Sequence, residues 1–146
     1  MPERDLGSRN QQVIDEFRAH DGTVGGYFAG ISLLLLTTTG AKTGRPHTTP
    51  LSCLADGGRY IVVAAAGGAP ASPDWYHNLI ANPGATVEAG TDVFEATAVV
   101  TTGGEREALF ERFAAVLPQL AAYQNRTTRQ IPVLALSRRA GPAPAM

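Results

Sequence analysis

Short apolar runs separated by turn residues recur along most of the chain, and they predict a mainly antiparallel β protein. The first run is followed by threonines, which is typical of a buried strand that ends in a polar turn. Asp56-Gly57-Gly58 and Gly90-Thr91 each separate two such runs at hairpin spacing. The predicted strands cover residues 31–39, 45–55, 59–66, 85–89, 92–101 and 131–137. Hairpins of this kind favour a small antiparallel barrel with helices around it over a doubly wound sheet.

Three segments, which cover residues 8–20, 73–82 and 104–117, are predicted as helices with an apolar face. Residues 120–127 are predicted as a short helix or a turn. The first places Val13, Ile14 and Phe17 on one face. This face either packs on the core or forms a mobile lid or a weak membrane contact. Its polar side mixes acids with arginines and so lacks the basic bias of membrane-surface helices, which argues against membrane contact.

The second helical segment opens with residues that suit a helix N-terminus. Ser72 is predicted as the N-cap, Pro73 as the first helical residue and Asp74 as an acid in the positive first turn. Asn78 lies in the middle of this helix, where asparagine is mildly unfavourable unless its amide makes a specific contact. The residues predicted to face inward are Trp75, Leu79 and Ile80 in this helix, and Leu109, Phe113, Val116 and Leu117 in the next.

Composition indicates one domain over residues 1–146, with disordered tails at 1–8 and 140–146. The net charge of −1 and the absence of a basic tract argue against nucleic acid as a partner. The one cysteine, Cys53, lies in an apolar run, which predicts a buried inert thiol and a reducing cytoplasmic location. The N-terminus has no signal-peptide pattern, and no apolar run could span a bilayer. The three histidines lie far apart, so no metal site is predicted.

The turn at residues 40–45 carries the most distinctive candidate chemistry. It contains Lys42, the only lysine in the chain, and Arg45, with His47 just beyond. No acidic residue occurs between Asp21 and Asp56. Backbone N–H groups, hydroxyls and two cations in a glycine-bounded turn form a plausible anion-binding cradle. The alternative is an ordinary solvated hairpin turn, because glycine, threonine and lysine are common in such turns.

Residues that could perform chemistry themselves are scarce. No Gly-x-Ser-x-Gly nucleophile motif, no Walker loop, no Gly-x-Gly-x-x-Gly fingerprint and no evident carboxylate pair occurs. A protein of this kind often binds a cofactor that carries the reaction.

Several motifs in order resemble the deazaflavin-dependent nitroreductase family of actinobacteria. The match runs from about Gly25 to Ser137, which is most of the chain. Its motifs are Leu-Leu-Thr-Thr-Thr-Gly-x-Lys-Thr-Gly-x-Pro at 35–46, Pro50-Leu51, Gly57-Gly58-Arg59, Val62-x-Ala64, Gly67-Gly68, Trp75-Tyr76-x-Asn78-Leu79-x-Ala81-Asn82-Pro83 and Arg129-x-Ile131-Pro132-Val133. The ordered series is far more specific than any one of these motifs.

The resemblance implies an α+β fold, namely a small antiparallel split β-barrel of the FMN-binding split-barrel type with surrounding helices. It also implies coenzyme F420, an 8-hydroxy-5-deazaflavin with a phospholactyl and oligoglutamate tail, with FMN as the alternative cofactor. The anionic tail would be bound by the cationic turn, and the small alanines after the third strand would let the flat ring approach. The cofactor-binding residues so implied are Lys42, Thr43, Arg45, His47, Thr48, Thr49, Pro50, Leu51, Ser52, Val63, Ala64, Ala65, Ala66, Asp74, Trp75, Tyr76 and Asn78.

The activity implied is hydride transfer from reduced F420 to a small quinone, enone or nitroaromatic acceptor. The predicted acceptor pocket comprises Phe17, Leu117, Leu120 and Tyr123. Nitroreducing members have serine and lysine where this chain has Ala65 and Ala66, and tyrosines at Leu117 and Leu120, so weak nitroreduction at most is implied. Tyr123 is the remaining candidate proton donor, although a packing role fits it equally well. A non-catalytic protein that binds F420 or carries another ligand, and an FMN-using split barrel, stay open as alternative functions. A homodimer stays open as the assembly.

Overall fold

The computed structural model describes residues 2–24 and 32–139. The described chain has the order α1 (Pro2–Ala19), β1 (Leu33–Thr39), β2 (Pro46–Ser52), β3 (Leu54–Asp56), β4 (Arg59–Val63), α2 (Asp74–Ala81), β5 (Gly84–Ala89), β6 (Asp92–Val100), α3 (Gly103–Val116), α4 (Gln119–Asn125) and β7 (Val133–Arg138). One turn of 3-10 helix, Ala66–Gly68, precedes α2. All strand pairings in this part of the chain are antiparallel.

The sheet curls because its two edge strands are neighbours in the chain. The strand order is β2-β1-β5-β6-β7-β4-β3, so β2 and β3 form opposite edges. Only Cys53 separates them, and its N–H donates to the carbonyl of Ser32 at 3.0 Å. The sheet must therefore bend until its edges meet, which produces the predicted antiparallel split barrel. Pro50 lies on the edge strand β2, a location that proline tolerates because an edge strand has a ladder partner on one side only.

Alternation along the central strands places apolar side chains on both faces of the sheet. Leu34 and Leu36 point into the barrel, whereas Leu33 and Leu35 point outward beneath α1, where Ile14 and Phe17 cover them. This confirms the predicted apolar face of α1 as a packing face. The barrel interior contains Leu34, Leu36, Cys53, Val62, Ala64, Trp75, Leu79, Ala85, Val87, Phe94, Ala96, Leu134 and Leu136. A third cluster lies under α3 and α4, and it contains Ile61, Ala65, Leu109, Phe110, Phe113, Leu117, Leu120, Ile131, Val133 and Ala135.

Several element boundaries differ from those predicted. Helix α1 begins at Pro2, so residues expected in an N-terminal tail are helical, and proline favours such a first position. The predicted strand 45–55 is interrupted at Cys53, where the sheet changes edge. Strand β4 ends at Val63, because the chain turns into the 3-10 segment, where Ala66 has a φ of +48°. Residues 25–31 and the predicted tail 140–146 lie outside the described residues.

Two side chains predicted to face inward are exposed. Ile80 is 54% exposed, since it lies about 140° around the helix from Trp75, whereas Leu79 lies only about 40° away. Val116 is 63% exposed. The chain leaves the helix at Leu117, which is 7% exposed and fills the core at that point instead.

None of the helices in the described ranges is long and apolar enough to cross a membrane.

Candidate functional site

An open cleft of about 940 Å³ lies between the 40–45 turn, strand β2 and the start of α2. One wall comes from the turn and β2, and the opposite wall comes from α2. The lining residues are Gly40, Ala41, Lys42, Thr43, Pro46, His47, Thr48, Thr49, Asp74, Trp75, His77 and Asn78. The predicted cradle therefore forms one wall of this cleft.

Backbone hydrogen bonds and one close approach shape the 40–45 turn. The N–H of Gly40 donates to the carbonyl of Arg45 at 2.8 Å, and the N–H of Gly44 donates to the carbonyl of Gly40 at 2.9 Å. The N–H of Arg45 also donates to Thr43 Oγ1 at 3.2 Å. A Cβ on Gly40 would lie 2.5 Å from Thr43 Oγ1 and 3.0 Å from His47 Nε2. Glycine at 40 thus lets the turn fold back onto the start of β2.

Asn78 joins the two walls of the cleft. Its Oδ1 accepts a hydrogen bond from the N–H of Ala41 at 3.0 Å, and its Nδ2 donates to Thr38 Oγ1 at 3.1 Å. Both side chains are buried, with 8% of Asn78 and 1% of Thr38 exposed. The amide of this mid-helical asparagine therefore has specific partners, which offset its low helix propensity.

The N-terminus of α2 differs from the predicted cap. Pro73 occupies the N-cap position in an extended conformation, and no side chain caps the helix. Ser72 Oγ instead accepts a hydrogen bond from Arg129 Nη1 at 3.1 Å, so its hydroxyl is engaged with the arginine. Asp74 lies in the first turn, as predicted.

The chemistry of the donors in the cleft fits an anionic ligand that also has an aromatic part. Lys42, Thr43 and His47 offer an ammonium, a hydroxyl and an imidazole on one wall, and His77 adds an imidazole on the other. Asp74 is the one carboxylate on the lining, and it opposes an anion that approaches the helix. Trp75, on the α2 wall, supplies an aromatic surface. The residues present thus fit a polyanionic tail near the turn, away from Asp74.

Eight of the seventeen predicted cofactor residues line the cleft. These are Lys42, Thr43, His47, Thr48, Thr49, Asp74, Trp75 and Asn78. The remaining nine lie outside the lining, and they are Arg45, Pro50, Leu51, Ser52, Val63, Ala64, Ala65, Ala66 and Tyr76. Pro50, Leu51 and Ser52 continue β2 beyond the cleft and are half-buried. Ala64 and Ala65 are buried in two different core clusters.

The four predicted acceptor-pocket residues are not all brought together. Phe17, on α1, is 1% exposed and packs against the outer face of β1. Leu117 and Leu120 are buried beneath α3 and α4, in a different cluster. Tyr123 packs at the margin of the cluster under α3 and α4 and is half-buried, with the guanidinium of Arg126 5.6 Å from its ring centroid. Among the four, only Tyr123 offers appreciable surface to a ligand.

Sequence reasoning missed four lining residues. Gly40, Ala41 and Pro46 flank the predicted cations, so their inclusion follows from the turn itself. His77 follows Trp75 and Tyr76 on α2, and only the pairing of this helix with the turn brings it to the cleft. The available signal was that His77 lies three residues after Asp74 and one residue before Asn78, both of which were predicted to bind the cofactor.

Cys53 does not contribute a reactive group. It is 8% exposed inside the barrel, and burial raises the pKa of its thiol to about 11. A thiol with this pKa is protonated at neutral pH and is a poor nucleophile. The prediction of a buried inert thiol is therefore confirmed.

The chain matches one protein family over nearly its whole length. A family model described as F420H(2)-dependent quinone reductase matches residues 9–138. An F420H(2)-dependent quinone reductase from Mycobacterium tuberculosis H37Rv is 39% identical over 144 residues, which cover 94% of this chain and 95% of the relative. A putative F420H(2)-dependent quinone reductase from the same organism is 34% identical over 111 residues, which cover 76% of this chain and 93% of that relative.

Solved structures agree in fold. An F420-H2 dependent reductase, FDR-A, superposes with a TM-score of 0.68 at 39% identity over 73% of this chain and 94% of its own. A structure described as a domain-swapped dimer reaches 0.70 at 34% identity over 94% of this chain and 100% of its own. The heme storage protein HutZ from Vibrio cholerae, with a TM-score of 0.57 at 16% identity over 88% of this chain and 89% of its own, shares the fold alone.

The curled antiparallel sheet and its surrounding helices define a split barrel, and the family match makes it an oxidoreductase. The chain belongs to the F420H2-dependent quinone reductase family. Membership in that family makes coenzyme F420 its cofactor, in agreement with the expectation drawn from the sequence motifs.

Proposed function

We propose that this protein uses F420H2, bound in the cleft, to reduce a small quinone. The observation that carries the proposal is the cleft lined by Lys42, Thr43 and His47, in a chain of the F420H2-dependent quinone reductase family. The relatives named above are described as quinone reductases, which favours a quinone over an enone or a nitroaromatic acceptor. The latter two remain proposed secondary acceptors.

The anionic tail would lie against the 40–45 turn, where the ammonium of Lys42 and the hydroxyl of Thr43 can bind phosphate or carboxylate oxygens. Charge-assisted hydrogen bonds of this kind contribute ~1.5–3 kcal/mol each. The ring would follow β2 from Thr48 and Thr49 toward Ser52. When bound, the reduced coenzyme supplies the hydride, and the protein holds the acceptor against it and excludes water.

A quinone that accepts a hydride also needs a proton to become the hydroquinone. Tyr123 is the proposed donor, because its side chain carries a phenolic O–H that can be donated. The backbone of Tyr123 lies against Gly68, in the turn that follows β4, and its side chain is half-buried. A Tyr123→Phe variant that keeps the wild-type rate with a quinone would rule out this role.

Binding is tested first. Titration of the purified protein with F420, followed by quenching of Trp75 emission, should saturate, since this indole lines the cleft. Lys42→Ala should weaken binding by roughly 10- to 100-fold, which corresponds to one charge-assisted hydrogen bond. Arg112→Ala is the matched control, because that cation pairs with Asp56 outside the cleft. Absence of F420 binding, or tighter binding of FMN, would refute the proposal.

Turnover is tested separately. Oxidation of F420H2 is followed by absorbance with a quinone, a nitroaromatic and an enone at equal concentrations. We expect the quinone to react fastest. Saturable F420 binding without turnover of any acceptor would favour the alternative of a coenzyme carrier.

A homodimer is also proposed, since one solved relative at 34% identity is described as a domain-swapped dimer. Light scattering at several protein concentrations tests it directly, and a monomeric mass throughout would refute it.

A further inference from the structure

The connection between β4 and α2 is held by a single arginine from the segment before β7. Arg129 Nε donates to the carbonyl of Ala69 at 2.9 Å, and its Nη1 donates to Ser72 Oγ at 3.1 Å. Its Nη2 donates to the carbonyls of Ala64 and Ala65 at 3.2 and 3.0 Å. One guanidinium therefore ties together both ends of the connection, residues 64–73.

The bonding of Arg129 is specific to a planar guanidinium. The N–H groups on its Nε, Nη1 and Nη2 point in three directions. A lysine ammonium has one nitrogen and cannot reach all four acceptors. None of the ion pairs found among residues 10–24 and 32–139 involves Arg129. The partners of Arg129 are three carbonyl oxygens and a hydroxyl, so Arg129 holds the connection by directed hydrogen bonds and not by ion pairing.

The opposite side of the connection packs against α4. Gly68 has a φ of +84°, and a Cβ there would lie 2.7 Å from the carbonyl oxygen of Tyr123. Within the connection, the N–H of Gly68 donates to the carbonyl of Ala65 at 2.9 Å, and the N–H of Ala69 donates to the carbonyl of Ala66 at 3.1 Å. The segment is thus held between the arginine and the helix that carries Tyr123.

We propose that Arg129 is a positioning residue for hydride transfer: its guanidinium holds residues 64–73 so that the start of α2, which lines the cleft, and the α4 segment that carries Tyr123 keep one relative geometry. This inference rests on the proposed F420 site. Arg129 touches neither coenzyme nor acceptor in this scheme, and it acts through the backbone that it binds.

The first test needs no coenzyme. Amide hydrogen exchange of the unliganded protein is compared for wild type, Arg129→Lys and Ser72→Ala, which removes one of the four acceptors and leaves the arginine intact. Exchange at Gly68 and Ala69 should accelerate roughly 10- to 100-fold in Arg129→Lys, because each lost hydrogen bond to a charged group corresponds to about that factor. Ser72→Ala should show a smaller increase in the same amides. Unchanged exchange at both amides in Arg129→Lys would overturn the clamp.

The second test separates positioning from simple stabilisation. Under conditions where all variants are folded, Arg129→Lys should lower kcat with a quinone by roughly tenfold or more, since small displacements of reacting groups reduce rates steeply. The control Arg112→Lys alters an exposed ion pair with Asp56 and should leave exchange at 64–73 and kcat unchanged. Faster exchange with an unchanged kcat would show that Arg129 only stabilises the loop, and this would overturn the positioning role.

The two proposals fail in different ways. If wild-type protein does not bind F420, the proposed function fails, whereas the exchange measurement still decides whether Arg129 holds the connection. If F420 binds and turns over but Arg129→Lys behaves like wild type in both tests, only this inference fails.

Discussion

Replacement of Asn78 by alanine should loosen the contact between the two walls of the cleft. The substitution removes the hydrogen bond from the N–H of Ala41 at 3.0 Å and the bond to Thr38 Oγ1 at 3.1 Å. Each neutral bond contributes a net ~0.5–1.5 kcal/mol, and a buried group left unsatisfied costs ~1–3 kcal/mol more. Thr38 is 1% exposed, so its hydroxyl cannot replace the lost bond with a hydrogen bond to water. We therefore expect the free energy of unfolding to fall by ~2–4 kcal/mol.

The assay is urea unfolding followed by far-UV circular dichroism, because the fluorescence of the neighbouring Trp75 would report local changes. The double-mutant cycle with Thr38→Val isolates the bond between the two side chains, and its coupling energy should be ~1 kcal/mol. Asn125→Ala is the matched control, since that asparagine ends α4 at the surface, and it should change stability by less than ~0.5 kcal/mol.

Two results would refute this reasoning. A loss of stability below ~0.5 kcal/mol in Asn78→Ala would show that its hydrogen bonds do not hold the walls together. Unchanged stability together with greatly weakened F420 binding would show instead that Asn78 contacts the coenzyme directly, as the family resemblance implies.

Three further predictions concern the turn, the barrel interior and the charge of the cleft. Gly40→Ala should lower the free energy of unfolding by ~1–3 kcal/mol and weaken F420 binding, because the new Cβ would lie 2.5 Å from Thr43 Oγ1. The control Gly104→Ala places its Cβ in open space and should be neutral or stabilising. Equal effects of the two substitutions would contradict the close-packed turn. The pKa of the Cys53 thiol is raised to about 11 in the folded state, so the thiol of the unfolded chain loses its proton at a lower pH. In urea unfolding, the free energy of unfolding of the wild type should therefore fall between pH 9 and 11 by up to ~2 kcal/mol relative to Cys53→Ala. Parallel pH profiles of the two proteins would refute this prediction. Affinity for F420 should fall as salt rises, with a shallower dependence in Lys42→Ala; equal salt slopes would exclude a direct contact between Lys42 and the anionic tail.

Local patterns in the sequence were sufficient for much of the fold. The apolar run around Leu34 and Leu35 predicts a buried strand, and the structure places the barrel on one side of it and α1 on the other. The spacing of Ile14 and Phe17 predicts the face of α1 that packs. Turn residues such as Asp56-Gly57-Gly58 set the hairpin positions. These features depend on neighbours in the chain, so their physical causes can be read without the tertiary structure.

The candidate site was only half predictable, because its walls come from segments far apart in the chain. The 40–45 turn could be recognised by its glycines and cations, yet His77 reaches the cleft only because α2 packs against that turn. Ser72 has the residue type of an N-cap, and a distant arginine engages its hydroxyl instead. A local propensity worth about 1 kcal/mol is overridden readily by such long-range hydrogen bonds.

The sequence by itself determined most of the strands, the turns, the apolar face of α1, the inert thiol and, through its ordered motifs, the family and the coenzyme. Tertiary structure alone decided that β2 and β3 become opposite edges of one curled sheet, that Asn78 joins the walls of the cleft and that Arg129 holds the connection before α2. The physical reason is distance along the chain. Hydrophobic periodicity and turn conformation act over a few residues, whereas the pairing of edges and the partners of buried polar groups are settled only when segments 40 to 65 residues apart meet.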